Sequence, residues 1–179
     1  MKEPDFEALA KAPVKRALVV GSAECVWEDL GKVFPWQGVV CAVNQIGLHL
    51  PNVDYWVSLH PENLVTKWAP KRPELQQEAS VWSHKSYRWV RQTLPDWGGS
   101  SGLFGVKVML SHGFNRIVCA GIPLDGQHHF NIKREWPDCM SYRKAWQKRA
   151  VELRPFVRSV SGWTKKTLGE PTKGWLELN

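Results

Sequence analysis

Short apolar runs recur along the chain, each closed by a glycine, an asparagine or a turn. Residues 17–21 (ALVVG), 38–43 (GVVCAV) and 54–59 (DYWVSL) are the clearest. Runs of this length with no alternating polar face predict strands buried on both sides. Residues 79–82 (ASVW), 115–120 (NRIVCA) and 157–160 (VRSV) read as three further strands. Between the strands the pattern turns helical. Ser22 stands where a cap would, with Glu24 and Glu28 favourable in the first turns. Asn44 opens a short helix to about residue 50. Pro61, Glu62 and Asn63 begin another that meets the Lys71-Arg72-Pro73 break, with a short helix beyond it to Glu78. Residues 101–111 read as an amphipathic helix entered through glycine and serine, and residues 141–153 as a charged amphipathic one. Residues 84–97 carry no period and read as an irregular segment suited to a lid.

Apolar strands alternating with helices predict a single Rossmann-like α/β domain, its sheet mostly parallel and its helices on both faces. No repeat or composition shift divides the chain. One domain over residues 1–179 is expected, with a core at about 14–160 and a basic C-terminal extension at 161–179.

Composition narrows the class. No apolar run reaches the roughly 20 residues that span a bilayer, and the charged N-terminus MKEPDFEALAKAP lacks a signal core, so a cytoplasmic protein is expected. Cys25, Cys41, Cys119 and Cys139 stand singly with no CxxC pair, which predicts free thiols rather than disulfides or zinc. The formal charge is +7. Residues 132–179 carry eleven Lys/Arg against five Asp/Glu, so this quarter holds nearly all the excess. It reads either as a solvated face or as an attraction for nucleic acid. Eleven tryptophans are present, and Trp36, Trp68, Trp89, Trp97, Trp136, Trp163 and Trp175 fall in loops or at strand ends. Such residues staple loops to a core, and one or two are expected at a ligand rim.

In a parallel sheet the ligand crevice lies beyond the carboxyl ends of the strands, so the residues there are the candidates for chemistry. Gly21 and Ser22 follow the first strand. Asn44 follows the second, placed either to bond a ribose or base or to cap the next helix. His60 follows the third. Gly99, Ser100, Ser101 and Gly102 precede the central helix, where small residues let a ligand reach backbone N–H groups. Asp125, His128 and His129 follow the fifth strand. The GxGxxG and GxxxxGK[ST] patterns are absent, which disfavours classical NAD binding and P-loop hydrolysis. An imidazole at 60, 128 or 129 can serve as a base toward a hydroxyl or as a cation against a leaving phosphate. Glu62 or Asp125 would orient one of them or replace it. His60, Asp125 and His129 lack the close spacing of a metal site, and none is assigned.

The blocks VVGSAE, VVCAVNQIG, VDYWVSLHPENL and GGSSGLFGVKVMLSHGFNRIVCAGIPLDG resemble, in order, motifs of bacterial sialyltransferases. They are similar too to the motility-associated-factor glycosyltransferase-like domain, whose relatives include an archaeal pterin pyrophosphokinase. The compact chain also resembles phage-encoded proteins of this type. The resemblance covers about residues 17–131 and implies nucleotide contacts from Gly21, Ser22, Asn44, Ser101 and Gly102, with a phosphate-facing loop at 125–129. Two features depart from the sialyltransferases. The first turn reads Gly-Ser-Ala instead of Gly-Asn-Gly. No histidine follows His129, and no tyrosine lies between that loop and Tyr142, whereas the family places tyrosines and a later histidine near the phosphate.

The function expected is a glycosyltransferase-like protein taking a nucleotide or nucleotide sugar, metal-independent because no DxD pair is present, with no cofactor beyond its donor. A pyrophosphokinase-like enzyme, which would need Mg²⁺, and a non-catalytic nucleotide or nucleic-acid binder are the alternatives.

Overall fold

The structure, a computed structural model, describes residues 3–90, 92–132 and 139–177. Seven parallel strands form one sheet: β1 (Arg16–Val20), β2 (Val39–Val43), β3 (Tyr55–Ser58), β4 (Ser80–Ser83), β5 (Gln92–Thr93), β6 (Arg116–Ala120) and β7 (Val157–Ser159). Their order is β5-β4-β3-β2-β1-β6-β7. The chain winds outward from β1 to β5, then returns to lay β6 on the other side of β1. The neighbouring ends of β1 and β6 are therefore a topological switch point, where loops part to opposite faces and leave a crevice.

The strands bury alternate residues on the two faces. On one face Val19, Cys41, Val57 and Cys119 pack against Leu103, Phe104, Trp146 and Leu168. On the other Leu18, Ala42, Trp56 and Val118 pack against Val26, Leu30, Ile46 and Leu64. The first layer comprises α1 (Phe6–Lys11), α5 (Ser101–Ser111), α6 (Cys139–Leu153) and α7 (Gly162–Leu168). The second holds α2 (Val26–Val33), a 3₁₀ turn (Asn44–Leu48), and an unbroken helical run of α3 (Pro61–Asn63), a π turn (Leu64–Trp68) and a 3₁₀ turn (Ala69–Lys71). It continues through α4 (Leu75–Glu78), with α8 (Lys173–Glu177) at its margin. This is a Rossmann-like α/β domain with helices on both faces.

Four expectations need correction. The central helix α5 is not amphipathic. Its residues from Ser101 to Leu110 are all buried, including Lys107, because it crosses the sheet with Gly105 set against Val19, Val43 and Val57. A Cβ at Gly105 would stand 3.0–3.4 Å from those side chains, so the bare backbone is what lets the helix sit this low. Ser22 does not cap α2, which begins at Val26 behind Cys25 and has no side-chain cap. The stretch 84–97, expected to be irregular, supplies the short edge strand β5 and buries Leu94. Residues 161–177 fold as α7 and α8, with Thr164 and Leu168 buried.

Among the described residues no helix is long and apolar enough to cross a membrane. All four cysteines are free. Burial pushes the Cys41 and Cys119 thiols far up and Cys25 up to about 12, which disfavours the thiolate at these three.

Candidate functional site

At the switch point the loops after β1, β2, β3 and β6 enclose a cavity of about 360 Å³ with the start of α5 on its wall. Gly21 and Ser22 enter from the first loop, Asn44 from the second and His60 from the third. Ser100, Ser101 and Gly102 come from the helix, and His128 and His129 from the fourth loop. Ten of the eleven residues picked from the sequence at the strand ends and the helix start, Gly99 included, thus share one hollow. The eleventh, Asp125, is exposed and lies outside the lining, holding the Gln127 amide at 3.3 Å. No described residue of 84–97 lines the cavity.

Each wall has a local cause. Gly21 and Gly121 end adjacent strands and touch back to back: a Cβ on Gly21 would come within 2.4 Å of the Gly121 carbonyl oxygen. Close strand packing, as much as ligand approach, demands glycine here. Asn44 sits at φ 59°, a left-handed conformation that asparagine tolerates better than most residues. Its side chain caps nothing, since Val43 holds the cap position of the following turn. Its carbonyl instead accepts the Trp56 indole N–H at 2.6 Å, and its Oδ1 accepts the Ser58 hydroxyl at 2.7 Å. Among the described residues the Nδ2 group has no hydrogen-bond partner.

At the head of α5, Ser100 Oγ caps the Leu103 amide at 3.3 Å and accepts the Trp146 indole N–H at 3.2 Å. Ser101 Oγ accepts the Leu59 amide at 3.2 Å, tying β3 to the helix. The amides of Ser101 and Gly102 lie in the first turn, where no intrahelical acceptor exists. They supply the positive end of the helix dipole to the cavity.

The fourth loop is folded over the first. Glu24 N–H donates to the His128 carbonyl at 2.8 Å, Phe130 N–H to the Ser22 carbonyl at 2.9 Å, and Ala23 and His129 form an antiparallel bridge. Burial lowers the His129 pKa, and its hydrogen bond to the Ser22 backbone only partly opposes this. The ring is neutral at neutral pH. His60 is more open, with Nδ1 3.7 Å from Glu62 Oε1; Glu62 also faces Lys85 at 3.8 Å.

Two contributions were hidden from sequence reasoning, and one expected tryptophan is in place. Tyr142, from the first turns of α6, lines the cavity although it lies beyond the last sequence block read as part of the site. Trp68 is also there, one of the loop tryptophans expected at a rim. The basic C-terminal quarter braces the fourth loop. Arg143 Nε holds the Leu124 carbonyl at 2.6 Å, Thr164 Oγ1 holds that of Ile122 at 2.6 Å, and Trp163 N–H holds that of Pro123 at 2.8 Å. Arg154 and Arg158 likewise bond the Thr167 and Leu168 carbonyls. Three cations of the basic quarter, Arg143, Arg154 and Arg158, thus donate to backbone carbonyls. Trp136 lies outside the described residues. Among those described, the lining carries no carboxylate, and no three His, Cys, Asp or Glu residues gather to hold a metal.

Fold and cavity together define a Rossmann-like domain with a nucleotide-sized site at its switch point. No protein-family model and no curated protein sequence matches the chain. Two solved structures share its fold. The sialyltransferase CstII from Campylobacter jejuni, in complex with a substrate analogue, cytidine-5'-monophosphate, has a TM-score of 0.62 at 12% identity, covering 90% of this chain and 86% of its own. MAf glycosyltransferase from Magnetospirillum magneticum AMB-1 has a TM-score of 0.58 at 13% identity, covering 94% of this chain. The chain spans about a third of the latter's length, 35%. The resemblance read from the sequence therefore holds at the level of fold.

Proposed function

We propose that the cavity binds a nucleotide-activated sugar and that the protein transfers that sugar to a hydroxyl acceptor without a metal ion. The observation that carries this reading is the donor set of the cavity. Helix amides, an asparagine amide and imidazoles converge there, and among the described residues no carboxylate does, on a fold shared with a sialyltransferase seen with a cytidine nucleotide. The Asn44 amide suits a base or ribose. The Ser101 and Gly102 amides, with His128, His129 and Tyr142, suit a phosphate. In the transfer the acceptor oxygen bonds to the anomeric carbon as that carbon's bond to the phosphate oxygen breaks. The nucleotide leaves with the bonding electrons, and His60, oriented by Glu62, takes the acceptor proton.

Thermal unfolding with CMP, nucleotide sugars and ATP, each with and without Mg²⁺, tests the reading. A ligand at a hundred times its Kd stabilises by about 2.7 kcal/mol. Stabilisation by a nucleoside monophosphate or nucleotide sugar without metal is expected. A shift confined to ATP with Mg²⁺ would support the pyrophosphokinase alternative, and salt-sensitive DNA binding alone would support a non-catalytic binder.

A further inference from the structure

We propose that the groove beside the donor cavity is the acceptor site and that it takes an anionic saccharide. The proposal rests on the donor reading above for its role, and on separate residues for its chemistry.

This groove, of about 800 Å³, lies between the 3₁₀ turn after β2 and the helical run after β3. Gln45 and Trp68 line both it and the donor cavity. The ridge between the two is a reciprocal amide pair: Gln45 Nε2 donates to Asn131 Oδ1 at 2.9 Å, and Asn131 Nδ2 to Gln45 Oε1 at 3.3 Å. A molecule held in the groove by its anionic group can therefore extend a hydroxyl past Gln45 and Trp68 into the cavity, where His60 and the donor would meet it.

Charge selects the kind of molecule. Of the groove's three cations, Arg72 is committed: it bonds the Gly47 and Leu50 carbonyls at 3.0 and 2.6 Å and pairs with Glu74 at 2.7 Å. Lys67 and Lys71 are exposed on the same wall and have no acidic partner among the described residues. Two flexible ammonium groups suit a carboxylate or a phosphate ester. Trp68 ends a π turn, in which Ala69 N–H reaches back to the Leu64 carbonyl, a distortion of helices that gathers at functional sites. Its half-buried indole gives a sugar ring an amphipathic surface to lie on. A nucleic-acid strand fits less well, since proteins holding one neutralise about 6–10 phosphates and among the described residues the groove offers two cations without an acidic partner.

The test titrates the full chain with a glucuronate-containing disaccharide, its neutral counterpart, glucose 6-phosphate and a short single-stranded DNA. One or both anionic sugars should bind about tenfold tighter than the neutral one, the scale of one charge-assisted contact. The two arms tell carboxylate from phosphate. Lys67→Ala/Lys71→Ala should abolish the preference, and Lys67→Glu/Lys71→Glu should reverse it, while CMP still raises the unfolding temperature. Both lysines are exposed, so an unchanged melting temperature without ligand confirms that the variants fold. Equal binding of the neutral sugar, no saccharide binding at all, tighter binding of DNA, or a preference that survives both variants would overturn the proposal. If the preference and its loss are seen but CMP does not bind, the donor reading fails and the anionic-saccharide site stands.

Discussion

The hydroxyl of Ser58 donates to Asn44 Oδ1 at 2.7 Å and accepts the His60 amide on the same oxygen at 2.8 Å. One fully buried serine thus joins the ends of β2 and β3. It also fixes the residue proposed to meet the nucleotide relative to the one proposed to take the acceptor proton.

Ser58→Ala should therefore act on both. Losing the hydroxyl leaves the His60 amide and the Asn44 oxygen without their partner, at a cost of about 1–3 kcal/mol. Chemical denaturation should show that loss, and nucleotide titration a weaker Kd. Asn44→Gly separates the roles: glycine suits φ 59°, so stability should hold while nucleotide affinity falls. Unchanged nucleotide binding in Asn44→Gly would remove Asn44 from the site.

Gly21→Ala should destabilise by about 3 kcal/mol, since a backbone oxygen 2.4 Å from the new Cβ cannot yield as a flexible side chain would. Gly174→Ala is the control, because nothing lies within 4 Å of its Cβ. Denaturation midpoints of the two variants check the contrast.

The same glycine shows what the sequence conveys and what it withholds. Buried strands on both sides of β1 were legible because each is a short apolar run, and the ligand edge followed from the expectation of a parallel sheet. The edge strand β5 was not: Gln92 and Thr93 are both exposed, and their pairing with Trp82 and Ser83 is set by the sheet, not by local pattern. Tyr142 escaped because its place depends on where α6 lies against the sheet. Composition does not reveal that Arg143, Arg154 and Arg158 of the basic quarter give donors to carbonyls. Gly21 itself was legible as a turn, but its need for Gly121 is a contact 100 residues away.

Asp29 is 1% exposed and joins three elements, its Oδ2 accepting the Gly121 amide at 2.8 Å and the Ser161 hydroxyl at 2.6 Å. Asp29→Ala strands a buried amide and opens a cavity. It should cost about 3 kcal/mol or more. Ser161→Ala, which leaves the Gly121 bond in place, should cost about 1 kcal/mol. A double-mutant cycle by urea unfolding should show coupling between the two.

His129 gives the site a pH dependence of known sign. Its folded pKa lies below the unfolded value of about 6.5. Between the two values the unfolded chain binds a proton that the folded chain does not, so this contribution to stability is present above about pH 6.5. It is lost as pH falls toward the folded value. Nucleotide phosphate beside the ring would favour its cation. Binding should then take up a proton and tighten as pH drops from 7.5 to 6. Calorimetry in buffers of different ionisation enthalpy measures that uptake, and His129→Gln should abolish it. Absence of uptake in the wild type would place the phosphate elsewhere.

Lys107 is fully buried within α5, where its ammonium meets Glu3 Oε1 at 2.5 Å, the Pro95 carbonyl at 2.6 Å and the face of Trp97 at 5.1 Å. Glu3 itself is 62% exposed. For Glu3 burial is the largest single influence and acts upward, yet its hydrogen bonds to Lys107 and Trp97 bring the pKa below the ordinary carboxylate value. The resulting contribution is full above the unfolded pKa and disappears as pH falls through the folded one. Glu3→Gln should cost about 1 kcal/mol at neutral pH, discounted for solvent screening of the carboxylate, and should flatten the acid limb of the stability curve. Lys107→Met removes the buried charge together with its need for a partner. It should change stability by less than Glu3→Gln does, because an apolar side chain of similar length fills the same space without a desolvation cost. Urea unfolding of both variants at pH 7 and pH 3.5 decides the matter: a Lys107→Met loss larger than that of Glu3→Gln at pH 7 would make the lysine, not the carboxylate, the group that holds the N-terminal segment against the sheet.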